Sequence, residues 1–281
     1  MTLAVVTIVH GRHEHLAMQQ AGLLASVRAP DLHVVVAMDD PEVEGCLGPV
    51  PYVRRVVHVP RQDDHLPLAR ARNIGAQTAL AAGATILVFL DVDCIPAPGL
   101  LSAYEAAAMH PATSRDLLCG PVTYLPPPPA DGYDLATIAS LGEPHAARPL
   151  PPAGTVERTR DGYELFWSLS FALSGETWFD IGGFDEVYLG YGGEDTDYAR
   201  RAHAAGTVLA WVRDAAAFHQ FHPVSAPPVE HVDDIVRNAE IFHDRWGDWP
   251  MTGWLSAFEE QGLVRRADDG TYRRIDHPAR G

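Results

Sequence analysis

The chain has 281 residues, 47% hydrophobic and 21% charged, with a formal net charge of −16. That length buries a substantial core, and the acidic surface as a whole repels nucleic acid and anionic lipid. All 21 basic residues are arginine, which excludes P-loop and protein-kinase chemistry and any enzyme that needs an amine to form an imine.

Met1 to Val9 is a short apolar run without a basic leader or cleavage site and reads as a first strand, Ala4–Val9, not a signal peptide. Polar residues 10–14 follow, then a helical pattern through about Val27. His33–Met38 is a second strand ending in the turn signal Asp39-Asp40-Pro41, and Val53–Val59 a third. Residues 67–82 read as a helix, and Thr85–Leu90 as a buried strand stopping at Asp91. Such strand–helix alternation predicts an α/β fold, a mostly parallel sheet flanked by helices on both faces. Ligands in such sheets bind outside the carboxyl ends of the strands.

Residues 126–154 contain Pro126–Pro129 and little periodicity, and read as a long surface excursion. Leu165–Leu173 is a strand-like run, Thr196–Ala205 reads as a helix, and Val229–Arg245 as another before an aromatic cluster. The last fifteen or so residues are polar and expected to fray. Cys46, Cys94 and Cys119 are odd in number and widely spaced, which suggests neither a disulfide framework nor a zinc site. No window approaches ~18 uninterrupted apolar residues, so no stable membrane insertion is expected and a cytosolic location is.

Three groups carry candidate chemistry. Asp91-Val92-Asp93 follows directly on an apolar strand, and in extended chain residues i and i+2 point the same way. Two such carboxylates with diphosphate oxygens suit Mg²⁺ or Mn²⁺. Gly190-Tyr191-Gly192-Gly193-Glu194-Asp195-Thr196-Asp197 has glycines that bring backbone close to a ligand, then three carboxylates in four residues. A carboxylate beside a bound hydroxyl serves as general base for attack on an anomeric carbon. A helix start lowers its pKa, whereas burial and neighbouring carboxylates raise it. Phe218-His219-Gln220-Phe221-His222 offers imidazoles to complete a metal shell.

Val5–Arg12, Asp39-Asp40, Arg72-Asn73-Ile74-Gly75 and Asp91-Val92-Asp93 occur in the order seen in GT-A-fold family 2 glycosyltransferases. Gly182-Gly183-Phe184-Asp185-Glu186 with Tyr191-Gly192-Gly193-Glu194-Asp195 resembles the C-terminal region of β-1,4-galactosyltransferases and chondroitin-polymerase-like enzymes. The resemblance covers roughly residues 3–222. It implies a single GT-A, Rossmann-like domain over 1–222, followed by a C-terminal helical extension over 223–281. Within the domain it implies a nucleotide-sugar half (1–125), a Pro-rich excursion (126–160) and an acceptor half (161–222).

The resemblance further implies an inverting, metal-dependent transferase using Mn²⁺ or Mg²⁺, a nucleotide-sugar, UDP-linked before GDP or dTDP, and a small or glycan acceptor. Thr7, Val9 and Arg12 would line the nucleotide pocket, Asp39 would contact the base, and Arg72 with Asn73 would approach base or diphosphate. Asp91 would face ribose or metal. Asp93 would bind the metal, with His219 as third protein ligand and His222 as the fallback. Asp195 would be the catalytic base, Glu194 would hold the acceptor hydroxyl, and Tyr191 would give a sugar an aromatic platform. An aspartate at 195, where retaining N-acetylgalactosaminyltransferases tend to carry asparagine, favours inversion. The chain departs from the family in Asp39-Asp40-Pro41-Glu42, where Asp-Asp-Gly-Ser is frequent, and in Tyr191, where tryptophan is usual. Two alternatives stay open, a non-catalytic nucleotide-sugar- or glycan-binding member of the fold and a sugar nucleotidylyltransferase.

Overall fold

The structure is a computed structural model, and it describes residues 1–275. Its elements in chain order are β1 (Leu3–Val9), α1 (His13–Leu24), β2 (Leu32–Met38), β3 (Val53–Val59), α2 (Leu68–Ala81), β4 (Ile86–Leu90) and β5 (Cys94–Pro96). Next come α3 (Leu100–Met109), β6 (Leu117–Cys119), β7 (Val122–Tyr124), β8 (Val156–Thr159), β9 (Ser170–Ser174), α4 (Gly175–Ile181), α5 (Glu194–Ala204), β10 (Leu209–Val212) and β11 (Ala217–His219). α6 (Val232–Trp246), α7 (Thr252–Glu260), β12 (Val264–Arg266) and β13 (Tyr272–Arg274) complete the described chain.

Eight strands form the main sheet in the order β3-β2-β1-β4-β9-β6-β10-β8. β1, β2, β3 and β4 are mutually parallel, while β9 runs antiparallel between β4 and β6. Every residue of β1, β2 and β4 is buried, as continuous apolar runs in the middle of a two-sided sheet require. One face packs against α2, α4 and α5 through Ala76, Trp178, Phe184 and Tyr198; the other meets α3 through Leu100 and Tyr104. α2 lies close because Gly75 has no side chain, and a Cβ there would stand 2.3 Å from Val6 Cγ1. Overpacking of that kind costs about 1–3 kcal/mol.

The chain turns in opposite directions from β1, through α1 to β2 on one side and to β4 on the other, so the carboxyl ends of β1 and β4 open a crevice. A second sheet, β5-β11-β7, is joined to the carboxyl end of β4 through the turn Asp91–Asp93.

Several sequence expectations shift in detail. α1 stops at Leu24, not Val27. The run 165–173 divides into a 3-10 turn at Tyr163–Leu165 and the strand β9, which begins only at Ser170. The excursion ends early, because Val156–Thr159 pairs with β10 as an edge strand. The region after 222 is not wholly helical: β12 and β13 form a hairpin, so the tail expected to fray is paired as far as Arg274. The rest of that expectation, on residues 276–281, lies outside the described residues. No described helix is long and apolar enough to cross a membrane.

Candidate active site

The Asp91–Asp93 turn sits at the carboxyl end of β4, and it is pinned from α1. Gln19, buried on the inner face of that helix, donates to the carbonyls of Leu90, Asp91 and Cys94 at 3.3, 2.7 and 3.2 Å. Its own Oε1 accepts from the Thr7 hydroxyl at 2.9 Å. Sequence reasoning missed Gln19. The signal was a polar residue on the buried stripe Leu16, Gln19, Gln20, Leu23, at helical spacing.

Strand register delivers the histidines. β11 pairs antiparallel with β5 so that His219 lies opposite Cys94, and the Gln220 amide donates to the Asp93 carbonyl at 2.7 Å. One ligand atom each from Asp93, His219 and His222 then falls within 4.8 Å of the others. Both imidazole Nε2 atoms lie 3.5 Å from an Asp93 oxygen. Three ligands about 2.1 Å from one cation stand at most about 4.2 Å apart, so closure by a few tenths of an ångström gives a divalent-metal shell. Two imidazoles and one carboxylate are a borderline donor set that could take a first-row divalent cation. Burial alone would raise Asp93, but hydrogen bonding to His222 and the nearby His219 and Arg12 outweigh it and hold its pKa at about 2. Burial pushes His219 down, toward the neutral form a metal needs.

The second carboxylate group opens α5. Arg72, with a side chain 5% exposed, joins it to the first: Nη1 donates to Glu194 Oε1 and Nη2 to Asp91 Oδ1, both at 3.1 Å. Glu194 Oε2 is buried without a hydrogen-bond partner among the described residues. Burial and the neighbouring Asp195 push the Glu194 pKa up to about 7. Burial raises Asp195 as well, against Arg72 and the Thr196 amide, which donates to Asp195 Oδ1 at 2.7 Å. Desolvation therefore outweighs the helix start. Asp91 is likewise lifted by burial, to about 6. Tyr191 stands over this group, with its hydroxyl pKa raised by burial and by the charges of Asp195 and Glu194.

Other expected residues occupy different places. Thr7 and Val9 do not present side chains to a pocket: the Thr7 hydroxyl is buried between Gln19 and His33, and Val9 packs with Leu16, Val35 and Val92. Arg12 does not reach toward a base; its Nη1 pairs with Asp93 Oδ2 at 2.8 Å. Asn73 faces neither base nor diphosphate. It clamps the loop before α5, donating to Phe184 O and Glu186 Oε1 and accepting from the Phe184 amide. Asp197, third of the acidic cluster, points away and is fully buried, accepting from Arg201, Arg245 and Trp246. Asp39 borders a cleft of about 340 Å³ with Asp40, Pro41, His58, Val59 and Pro60, and pairs with Arg61 at 2.7 Å. A larger cavity of about 980 Å³ lies near the other end of β4, beside Met1, Ile86 and Phe179, and includes none of the site's carboxylates or imidazoles.

The tryptophans of the C-terminal segment mostly pack. Trp249 and Trp254 lie against a small core of Val232, Ile235, Leu255 and Phe258, and Trp246 Nε1 donates to Asp197 at 2.9 Å.

A family model described as the N-terminal domain of galactosyltransferase matches residues 155–223, a stretch that holds Tyr191, Glu194, Asp195, His219 and His222. The validoxylamine A glucosyltransferase of Streptomyces hygroscopicus subsp. limoneus is 27% identical over 240 residues, 76% of this chain and 50% of that protein. The chondroitin synthase of Escherichia coli is 24% identical over 245 residues, 79% of this chain and 35% of that one. The chain thus spans half or less of the length of these relatives. Among solved structures, GalNAc-T7 with UDP, GalNAc and Mn²⁺ superposes with a TM-score of 0.58 at 20% identity, over 94% of this chain and 51% of that one. S. aureus TarS 1–349 gives 0.52 at 12% identity, over 85% and 65%. The chain has the fold of the GT-A glycosyltransferases, and its sequence is similar to glycosyltransferases.

Proposed function

We propose that the chain transfers a sugar from a nucleotide-sugar, UDP-linked before GDP or dTDP, to an acceptor hydroxyl, with inversion at the anomeric carbon. The observation that carries this reading is the meeting, in one crevice, of a three-residue metal-ligand set with the adjacent carboxylates of buried Glu194 and half-buried Asp195. The solved neighbour bound to UDP, GalNAc and Mn²⁺ supports both donor class and cation.

Asp93, His219 and His222 would hold the cation, which supplies positive charge to a departing nucleoside diphosphate. Asp195 takes the proton from the acceptor hydroxyl as its oxygen bonds to the anomeric carbon. The bond from that carbon to the diphosphate oxygen breaks, and the nucleotide leaves with the electron pair. Glu194, whose buried Oε2 has no hydrogen-bond partner among the described residues, would hold the acceptor hydroxyl. Arg72 keeps Asp91 and Glu194 in register, so metal side and base side move as one unit. Asp39 and its cleft take the base. A carboxylate at 195 provides the base that single displacement requires.

The test is thermal stabilisation by UDP, GDP and dTDP, each with Mn²⁺, with Mg²⁺ and with chelator, followed by sugar release from the matching donors. A nucleotide at ~100 times its dissociation constant adds about 2.7 kcal/mol. The expected result is a cation-dependent shift for UDP and turnover of a UDP-sugar. Binding without turnover for any acceptor would indicate a binding module, and no shift together with no turnover would remove the proposal.

A further inference from the structure

The three glycines ahead of Glu194 do not open onto a ligand. Gly190, Gly192 and Gly193 all have positive φ, at 66°, 88° and 91°. Their open sides meet the segment that follows residue 222. A Cβ on Gly190 would lie 2.0 Å from Asp234 Oδ2, one on Gly192 2.9 Å from Met251 Sδ, and one on Gly193 3.2 Å from the Tyr188 ring and 3.3 Å from Asn238 Cβ.

Hydrogen bonds follow the same geometry. Asn238, fully buried on α6, donates to the carbonyls of Leu189, Tyr191 and Gly192 at 3.0, 3.3 and 2.7 Å. Asp234 Oδ2 accepts from the Tyr191 amide at 3.1 Å. Its Oδ1 lies 2.9 Å from His65 Nδ1 and 3.1 Å from Arg237 Nη2. Arg237 also donates to the Leu189 carbonyl and contacts His65 Nε2 at 3.2 Å. The Tyr191 ring stacks on His231 at 4.5 Å and 15°, with Trp254 at 5.9 Å. At its far end α6 holds α5 again, through Arg245 and Trp246 on Asp197.

We propose that α6 is the positioning element of the acceptor side: Asp234 and Asn238 fix the loop Leu189–Gly193, and with it Tyr191 and the carboxylates that open α5. The proposal deepens the transferase reading and rests on it. His231 covers one face of Tyr191, so an acceptor meets the ring's other face and its hydroxyl edge. Acceptor selection then depends on residues of the C-terminal segment as well as on the galactosyltransferase-like stretch.

The test is a double-mutant cycle of Gly190→Ala, Asp234→Ala and the pair together. All three atoms nearest a Cβ at 190 belong to Asp234. Gly190→Ala alone should therefore push the loop off α6, and Asp234→Ala should make room for it. Couplings between touching residues reach 0.5–3 kcal/mol, and 1.4 kcal/mol is tenfold. The expected result is a ~10-fold loss of kcat/KM for the acceptor in Gly190→Ala, with the UDP–Mn²⁺ melting shift intact. Because an alanine at φ 66° stays strained whatever the space, the double variant recovers only in part, its loss smaller than the two single losses combined. No loss in Gly190→Ala, or losses that simply add in the pair, overturns the proposal. Amide hydrogen exchange over residues 189–196 in the same proteins needs no substrate and reads the clamp directly. It should speed up in Gly190→Ala and in Asp234→Ala, and in the pair by less than the two effects combined. Faster exchange with unchanged turnover refutes the positioning role, whereas absent turnover in the wild type with coupled exchange refutes only the transferase reading. Should Gly190→Ala not fold, Asp234→Asn keeps an acceptor for the Tyr191 amide and must still speed exchange over 189–193.

Discussion

Arg72→Lys tests the internal wiring of the site with the smallest change in charge. The guanidinium reaches two carboxylates from different elements, Asp91 at the end of β4 and Glu194 at the start of α5, each at 3.1 Å, and lies 5.3 Å from the Phe184 ring centroid. A lysine ammonium is a point charge that satisfies one of these partners and leaves the other buried without a cation. Losing one charge-assisted bond costs about 1.5–3 kcal/mol, and losing the contact with Phe184 adds about 0.5–1 kcal/mol. The sum, about 2–4 kcal/mol, lowers Tm by roughly 3–7 °C for a chain of this size. The pH–rate profile moves too. Burial and Asp195 raise Glu194 and Arg72 lowers it, so a weaker cation lets its pKa climb, and the acid limb shifts to higher pH. Melting curves and kcat/KM against pH for the two proteins check both effects. A Tm within about 1 °C of wild type and an unmoved acid limb refute the reasoning. If donor KM alone rises, Arg72 contacts the donor, as the sequence resemblance implied.

Asp195→Asn should lower turnover by about 10²–10⁴-fold while leaving the UDP–Mn²⁺ melting shift nearly unchanged. Equal loss of both would move the base elsewhere. In the wild type the base works only when ionised, and burial lifts both Asp195 and Glu194, the latter to about 7. The rate should therefore fall on the acid side at a pH above the ordinary carboxylate range, and an acid limb at the ordinary aspartate position would contradict the assignment. His219→Ala and His222→Ala should each weaken metal-dependent UDP stabilisation, since both Nε2 atoms lie 3.5 Å from an Asp93 oxygen. Metal titration of the two variants decides the shell, and an unaffected variant removes its histidine from it.

How much of this was legible beforehand depends on how locally each feature is encoded. β1, β2 and β4 announce themselves as apolar runs, and the Asp91–Asp93 turn follows from where β4 stops. The sheet β5-β11-β7 does not, because strands of three residues show no period, yet its register is what sets His219 opposite Cys94. The same holds for β9, whose antiparallel place between β4 and β6 is a tertiary choice. Family position put Thr7 and Val9 at the pocket, but strand alternation turns both side chains into packing. The glycines at 190, 192 and 193 signalled close approach correctly and misidentified what approaches. A sequence records that a Cβ is forbidden, not which neighbour forbids it.

Charge gives the proposed metal dependence a reason that stands apart from kinship. The crevice gathers Asp91, Asp93, Glu194 and Asp195, and the cations bonded to these carboxylates are Arg12 and Arg72. Arg72 is already shared between two carboxylates, and Arg12 is spent on Asp93. An entering diphosphate therefore meets an excess of negative charge that these arginines do not cancel, in a partly buried place where such repulsion is weakly screened. A divalent cation on Asp93, His219 and His222 reverses that balance. It would also release Arg12 from Asp93, freeing a part-exposed guanidinium for the phosphates of the proposed donor. On this account the proposed cation and nucleotide would bind as a unit, and an anionic protein without a single lysine would still recognise an anionic donor.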